Sequence, residues 1–157
     1  MMEMSEVQIR EDDLTGKAIA DFLREHLEEM HTITPPGSVH ALDLETLRSP
    51  DVTFWSAWEG DELLGCGALK ALDASSGEIK SMRTAKAHRG KGVASKILEH
   101  IIKVAKQRDY DRLNLETGAL PEFAPARALY TRYGFEYRDP FGEYTNDPNS
   151  VFMTKEL

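Results

Sequence analysis

His88-Arg89-Gly90-Lys91-Gly92-Val93-Ala94-Ser95 divides two kinds of hydrophobic period. Before it, Glu78 to Thr84 reads as a strand. After it, Val93 to about Arg108 reads as the most regular amphipathic helix of the chain, with Ala94, Ile97, Leu98, Ile101 and Ala105 on one face. Two glycines one residue apart let backbone come close to a ligand, and the helix behind them offers unpaired N–H groups and the positive end of its dipole. Such a loop suits an anion, above all phosphate. Local charge agrees. Ile79 to Leu98 contains no Asp or Glu, although 27 acidic residues in 157 would place about three there by chance. Lys80, Arg83, Lys86, Arg89, Lys91 and Lys96 fall in the same window. On its own, a glycine pair before a helix is equally a plain turn, and the basic run equally a solvated face.

The rest of the chain narrows this. One domain spanning residues 1–157 is expected, with a substantial core: 41% of the residues are hydrophobic and 29% charged. No apolar run approaches membrane-spanning length, and the N-terminus shows no basic-then-apolar pattern, so a cytoplasmic protein is expected. The single cysteine, Cys66, excludes an internal disulfide framework and suits a reducing compartment. A net charge of −8 speaks against general nucleic-acid binding and anionic membranes, and makes the basic window a local feature fit for one small polyanion. The five histidines show no metal-ligand spacing, so no metal is expected.

Outward from the loop, Val7 to Arg10 reads as a strand, Thr15 to about His31 as an amphipathic helix, and Leu42 to Leu47 as a shorter one. Thr53–Trp58 and Leu63–Leu72 flank turn chemistry at Glu59 to Glu62 and form a hairpin, with Glu78–Thr84 as a third strand. Arg112–Thr117 is a strand, Ala126–Tyr133 a short helix stopped by Gly134, and Phe135–Tyr137 and Val151–Thr154 a closing strand pair. Only Glu78 to Thr117 is a strand-helix-strand crossover. The sheet is therefore mixed, and a doubly wound dinucleotide fold is excluded.

Arg89-x-x-Gly92-x-Ala94 resembles the pyrophosphate loop, Gln/Arg-x-x-Gly-x-Gly/Ala, of the GCN5-related N-acetyltransferases (GNAT superfamily). Ala126-x-x-Leu129-Tyr130-x-x-x-Gly134-Phe135 resembles a second segment of that superfamily at the expected distance. Gly65-Cys66-Gly67-Ala68-Leu69, Leu115-Glu116-Thr117-Gly118 and Ser150-Val151-Phe152-Met153 are similar to a bacterial subset of its acetyltransferases. The resemblance implies an α/β (α+β) fold with a mixed, mostly antiparallel central sheet of about six to seven strands flanked by about four helices. It also implies an acetyl-CoA co-substrate, a primary amine of a small molecule or amino acid as acceptor, and direct attack in a ternary complex.

By that resemblance Arg89, Gly90, Lys91, Gly92, Val93, Ala94 and Ser95 would hold the pyrophosphate, and the backbone of Met82, Arg83 and Thr84 the pantetheine arm. Tyr130 stands where the family places the acid that protonates the leaving thiolate; outside the motif it would be a packing residue. Glu78 matches the base of some protein-lysine members, with proton loss to water as the competing account. His40, Phe141 and Tyr144, with Glu143, are placed to meet the acceptor. The pattern is broken at Phe123, where many members carry a pantetheine-binding Asn; Asn114 is the nearest substitute. A protein N-terminus or lysine as acceptor, a non-catalytic acyl-CoA sensor, and a nucleotide-phosphate binder of another fold are the alternatives. The last would need a Walker lysine followed by Ser or Thr, whereas Lys91 precedes Gly92. A homodimer is left open.

Overall fold

A computed structural model describes residues 7–33, 47–142 and 144–157, excluding the side chains of 30, 31 and 33. Seven strands form one sheet in the order β1-β2-β3-β4-β5-β7-β6. They are β1 (Val7–Glu11), β2 (Val52–Glu59), β3 (Glu62–Ala71), β4 (Ser76–Thr84), β5 (Arg112–Gly118), β6 (Glu136–Arg138) and β7 (Ser150–Glu156). Helix α1 covers Lys17–Ile33, α2 Val93–Gln107 and α3 Ala124–Arg132. Every neighbouring pair is antiparallel except β4 and β5, which α2 joins by the expected crossover.

Helix count is the one adjustment to the expected architecture. Three α-helices lie among the described residues, and all but Leu47 of the segment expected as a fourth, 42–47, falls outside them. α3 also begins at Ala124 rather than Ala126, following a 3-10 turn at Pro121–Phe123. Pro125 sits in its first turn, where a missing N–H costs nothing.

The central strands carry apolar residues on both faces because helices cover both. Trp55, Ala57, Leu69, Ile79, Leu113, Leu115 and Met153 form one core with Val93, Ile97, Leu98 and Ile101 of α2 and Leu129 and Tyr130 of α3. Phe54, Cys66 and Ala68 point the other way, against Ile19, Phe22 and Leu23 of α1. That second face is the one on which the charged side chains described below collect.

Candidate active site

The site begins where two strands part. β4 and β5 are in register only from Ser76↔Arg112 to Ile79↔Leu115, although β4 runs on to Thr84 and β5 to Gly118. β4 stays with β3 beyond that point, reaching Gly65↔Thr84. From Lys80 onward no strand among the described residues lies beside its other edge, leaving a V-shaped opening between Lys80–Thr84 and Glu116–Gly118.

A bulge lies in β4 at the same place. Between the pairs Cys66↔Arg83 and Ala68↔Lys80, β4 advances three residues and β3 only two. Ser81 takes up the extra length at φ 56°, and its carbonyl accepts a hydrogen bond from Cys66 Sγ at 3.2 Å. An extra residue re-aims the following side chains and amides. The Gly65-Cys66-Gly67 run is what allows it. A Cβ on Gly65 would stand 2.6 Å from the Arg83 carbonyl oxygen, and one on Gly67 2.7 Å from Met82 Sδ.

Past the mouth, a 3-10 turn (Lys86–His88) leads into the glycine loop. Gly90 and Gly92 have φ of 82° and 83°, and a Cβ on either would meet nothing within 4 Å. Gly92 is the N-cap of α2, and no side chain caps the helix. The N–H groups of its first turn, in Val93, Ala94 and Ser95, therefore have no intrahelical partner and border open space. His88, buried beneath the loop, places Nε2 2.5 Å from Glu62 Oε2, while Lys91 Nζ approaches His88 Nδ1 at 3.3 Å. An ammonium can only donate, so Nδ1 accepts and Nε2–H donates to Glu62. The loop is thereby tied to the β2–β3 hairpin.

Tyr130 projects from α3 into the core shared with α2, its ring edge-on to Phe135 at 5.6 Å. Burial first, and then the negative charge of Glu116, push its phenol well above the ordinary value of 10, so it is neutral throughout the physiological range. Phe123 lies with its ring on Gly118 at the open end of β5; a Cβ on that glycine would be 2.1 Å from Phe123 Cδ2. Arg127 Nη1 secures this corner by donating to the carbonyls of Gly118 (2.6 Å) and Leu120 (3.0 Å). Asn114 is not brought to Phe123. It sits opposite Glu78 in the paired part of the sheet, and its Oδ1 accepts from Arg138 at 3.1 Å.

On the α1 face, Glu78 is 3% exposed and engaged by two partners. Tyr144 donates its hydroxyl proton to Glu78 Oε2 at 2.7 Å, and Lys80 Nζ donates to the same oxygen at 2.9 Å and to Tyr144 Oη at 2.8 Å. Phe141, Tyr144 and Phe152 form an aromatic triangle that seats this part of the chain on the sheet. Glu78, Phe141 and Tyr144 are thus brought together. His40 and Glu143 lie outside the described residues.

A second polar group was not anticipated. Arg83, past the bulge, reaches α1, where Nη1 meets Glu29 Oε1 at 2.9 Å and His26 Nδ1 at 3.0 Å. Lys86 and Arg89 also approach the Glu29 carboxylate, each at 3.5 Å. Burial works to raise the Glu29 carboxyl, but the Arg83 hydrogen bond and the charges of Arg83, Arg89 and Lys86 outweigh it and hold it below the usual range. Burial and the Arg83 charge depress His26 to about 4, which keeps it a neutral acceptor. Phe22, Glu25, Glu29, Arg83 and Lys86 border a cleft of about 610 Å³ between α1 and the end of β4. Cys66 below is pushed to about 12 by burial and stays a thiol, as its core position implied.

Residues 17–135 match the acetyltransferase (GNAT) family. The chain belongs to that family. Over 151 residues this acetyltransferase is 58% identical to the uncharacterised N-acetyltransferase YsnE of Bacillus subtilis (strain 168), covering 96% of the one and 100% of the other. It superposes on an acyl-CoA N-acyltransferase from Klebsiella pneumoniae with a TM-score of 0.77 at 30% identity, covering 96% and 97% of the two chains. A GNAT acetyltransferase from Elizabethkingia anophelis with acetyl-CoA bound shares the fold at TM-score 0.66 and 19% identity, over 98% and 99%. The protein is an N-acetyltransferase with an acetyl-CoA-binding fold. Among the described residues no helix is long and apolar enough to cross a membrane, and no group of three or more acidic, His or Cys side chains could hold a metal ion.

Proposed function

We propose that this N-acetyltransferase moves the acetyl group of acetyl-CoA to a primary amine of a small molecule or amino acid, by direct attack with both substrates bound. One observation supports the reading: β4 parts from β5 after Ile79↔Leu115 and leads on into a glycine loop whose helix has no side-chain cap. The loop from Arg89 to Ser95 binds the pyrophosphate through backbone N–H groups and the α2 dipole. The free β4 edge at Met82, Arg83 and Thr84 pairs with the pantetheine amides, and an N–H there meets the oxygen that gains charge during transfer. Phe123 gives this part of the groove an apolar wall in place of an amide contact.

An amine of pKa near 10 is neutral in only about one molecule in a thousand at pH 7, so a base assists it. Glu78 is the base in this reading, buried on the α1 face behind Tyr144. The departing thiolate takes its proton from Tyr130, a neutral phenol in a dry site.

Acetyl-CoA should raise the melting temperature, and thiol release should appear with one class in a panel of amines, amino acids and peptides. Tyr130→Phe should lower kcat by about 10²-fold or more while leaving acetyl-CoA affinity within about twofold. No thermal shift at saturating acetyl-CoA would remove the donor assignment. Wild-type turnover in the Phe variant would remove Tyr130 from the chemistry. A preference for peptides would move the acceptor to a protein N-terminus or lysine.

A further inference from the structure

Glu78 is too deeply buried for an acceptor amine to reach, whereas Tyr144, whose hydroxyl bonds it, is half-buried. The hydrogen bonds around Tyr144 have a fixed direction. Lys80 can only donate, so Tyr144 Oη is the acceptor of the 2.8 Å contact and the single phenolic proton points at Glu78 Oε2. We infer that Tyr144 is a catalytic residue that relays the acceptor's proton to Glu78, and that Lys80 is the positioning residue that fixes the direction of the relay. The inference rests on the acetyl-transfer reading above and gives its base step a route.

The step balances without another reactant. The ammonium of the acceptor gives one N–H proton to Tyr144 Oη as the Tyr144 O–H proton passes to Glu78 Oε2. The products are a neutral amine, an unchanged phenol and a protonated Glu78. The amine lone pair then forms the N–C bond as the C–S bond of the thioester breaks; Tyr130 gives its phenolic proton to the departing sulfur and is restored by the second N–H proton that the nitrogen sheds as the amide forms.

Charge around the phenol favours such a concerted hand-over. Tyr144 faces Glu78 and Lys80 from β4, Glu116 from β5, and Phe152 from β7, with Arg138 stacked over its neighbour Phe141. Burial and the two carboxylates raise its pKa, so a free phenolate is disfavoured and the proton leaves Oη only as another arrives. Lys80 Nζ lies 5.4 Å from the Tyr144 ring centroid, and this cation–π contact with the bond to Oη keeps its ammonium solvated after Glu78 is neutralised.

A double-mutant cycle tests the relay. Acetyl transfer is measured to whichever of benzylamine, putrescine and L-lysine the wild type uses fastest, in Tyr144→Phe, Glu78→Gln and the double variant. Acetyl-CoA-induced thermal shifts report that each has a folded donor site. Groups acting in series give non-additive losses: each single variant should lose about 10²-fold in kcat, and the double variant about the same rather than about 10⁴-fold. Lys80→Arg should restore most of the kcat lost in Lys80→Met, with KM little changed in both. The relay is overturned if the two losses multiply, or if Tyr144→Phe raises KM while kcat stays within twofold, the behaviour of a pocket wall. A wild type that transfers to none of the three amines refutes the small-amine reading and the relay with it. A wild type that transfers while Tyr144→Phe keeps its kcat refutes the relay alone.

Discussion

Gly92→Ala separates a ligand cradle from a turn, because the two readings predict different losses from the same methyl group. At φ 83°, an alanine is strained by roughly 1–2 kcal/mol whatever surrounds it. For a chain of this length that lowers Tm by roughly 2–8 °C. Nothing lies within 4 Å of the added Cβ, so no packing clash enlarges the loss in the free protein. If the loop is only a turn, the account ends there, and acetyl-CoA affinity falls no further than the small drop in folded fraction allows. If the open space is where the pyrophosphate lies, the methyl stands between phosphate and the N–H groups of the α2 first turn. Losing one or two charge-assisted hydrogen bonds of about 1.5–3 kcal/mol each weakens binding by about 10-fold to well over 100-fold. Calorimetry at 25 °C, far below either Tm, reads the binding term alone. Gly60→Ala is the control: at φ 60° with nothing within 4 Å of its Cβ, it carries the same kind of strain in the β2–β3 turn and should lose a similar few degrees without changing acetyl-CoA affinity. A Gly92→Ala protein that loses its few degrees of Tm yet binds acetyl-CoA like wild type would refute the cradle.

Two further outcomes follow from the charges on α1. His26 titrates near 6.5 when unfolded and near 4 when folded, so between those values the unfolded chain binds a proton that the folded one refuses. Its contribution to stability is complete above pH 6.5 and lost as pH falls toward 4, on the order of 3 kcal/mol; in urea titrations from pH 7 to 4, His26→Gln should lose distinctly less stability than wild type, and parallel curves would dismiss the effect. Glu29 holds Arg89 and Lys86, which the pyrophosphate would otherwise attract. Glu29→Gln should therefore tighten acetyl-CoA binding by up to about fivefold at low salt, the worth of exposed ion pairs, and weaker binding would show that the carboxylate organises the loop rather than competing for it.

The strand and helix periods placed β1, α1, the β2–β3 hairpin, the crossover and the closing pair, because each is a local pattern of apolar side chains. The glycine loop was equally legible, since positive φ and an absent Cβ are properties of single residues. The bulge was not. It arises from register between two strands, with Ser81 displaced by what β3 permits opposite it. β4 also begins at Ser76, two residues before its apolar run, because its edge residues pair with β5 through backbone alone. Glu78 and Tyr144 were each nameable, but not their union by Lys80. The pairing of residues 78 and 80 on one strand face could have suggested it, as alternate residues share a side of the sheet.

The two substrate sites differ in kind, which explains why the chain discloses its donor more readily than its acceptor. On the proposed reading, donor binding would use consecutive backbone groups, from Met82 to Thr84 and Gly90 to Ser95, supplied by one loop and one strand edge. A pyrophosphate needs only N–H groups and the helix dipole, and these follow from geometry that a short motif fixes. The proposed acceptor wall would be assembled from side chains distant in sequence. Arg83 meets Glu29 across 54 residues, Lys80 meets Tyr144 across 64, and Tyr144 meets Glu78 across 66. Any one of these could change with no effect on the pyrophosphate loop, so the fold can keep its donor while its acceptor varies. The contacts of Glu29 with Lys86 and Arg89 are the exception, since they join the cleft beside α1 to the loop itself. A ligand that draws those cations away leaves Glu29 to Arg83 alone, so donor binding would make the cleft less positive. Acceptor charge should then matter most when the donor is already in place.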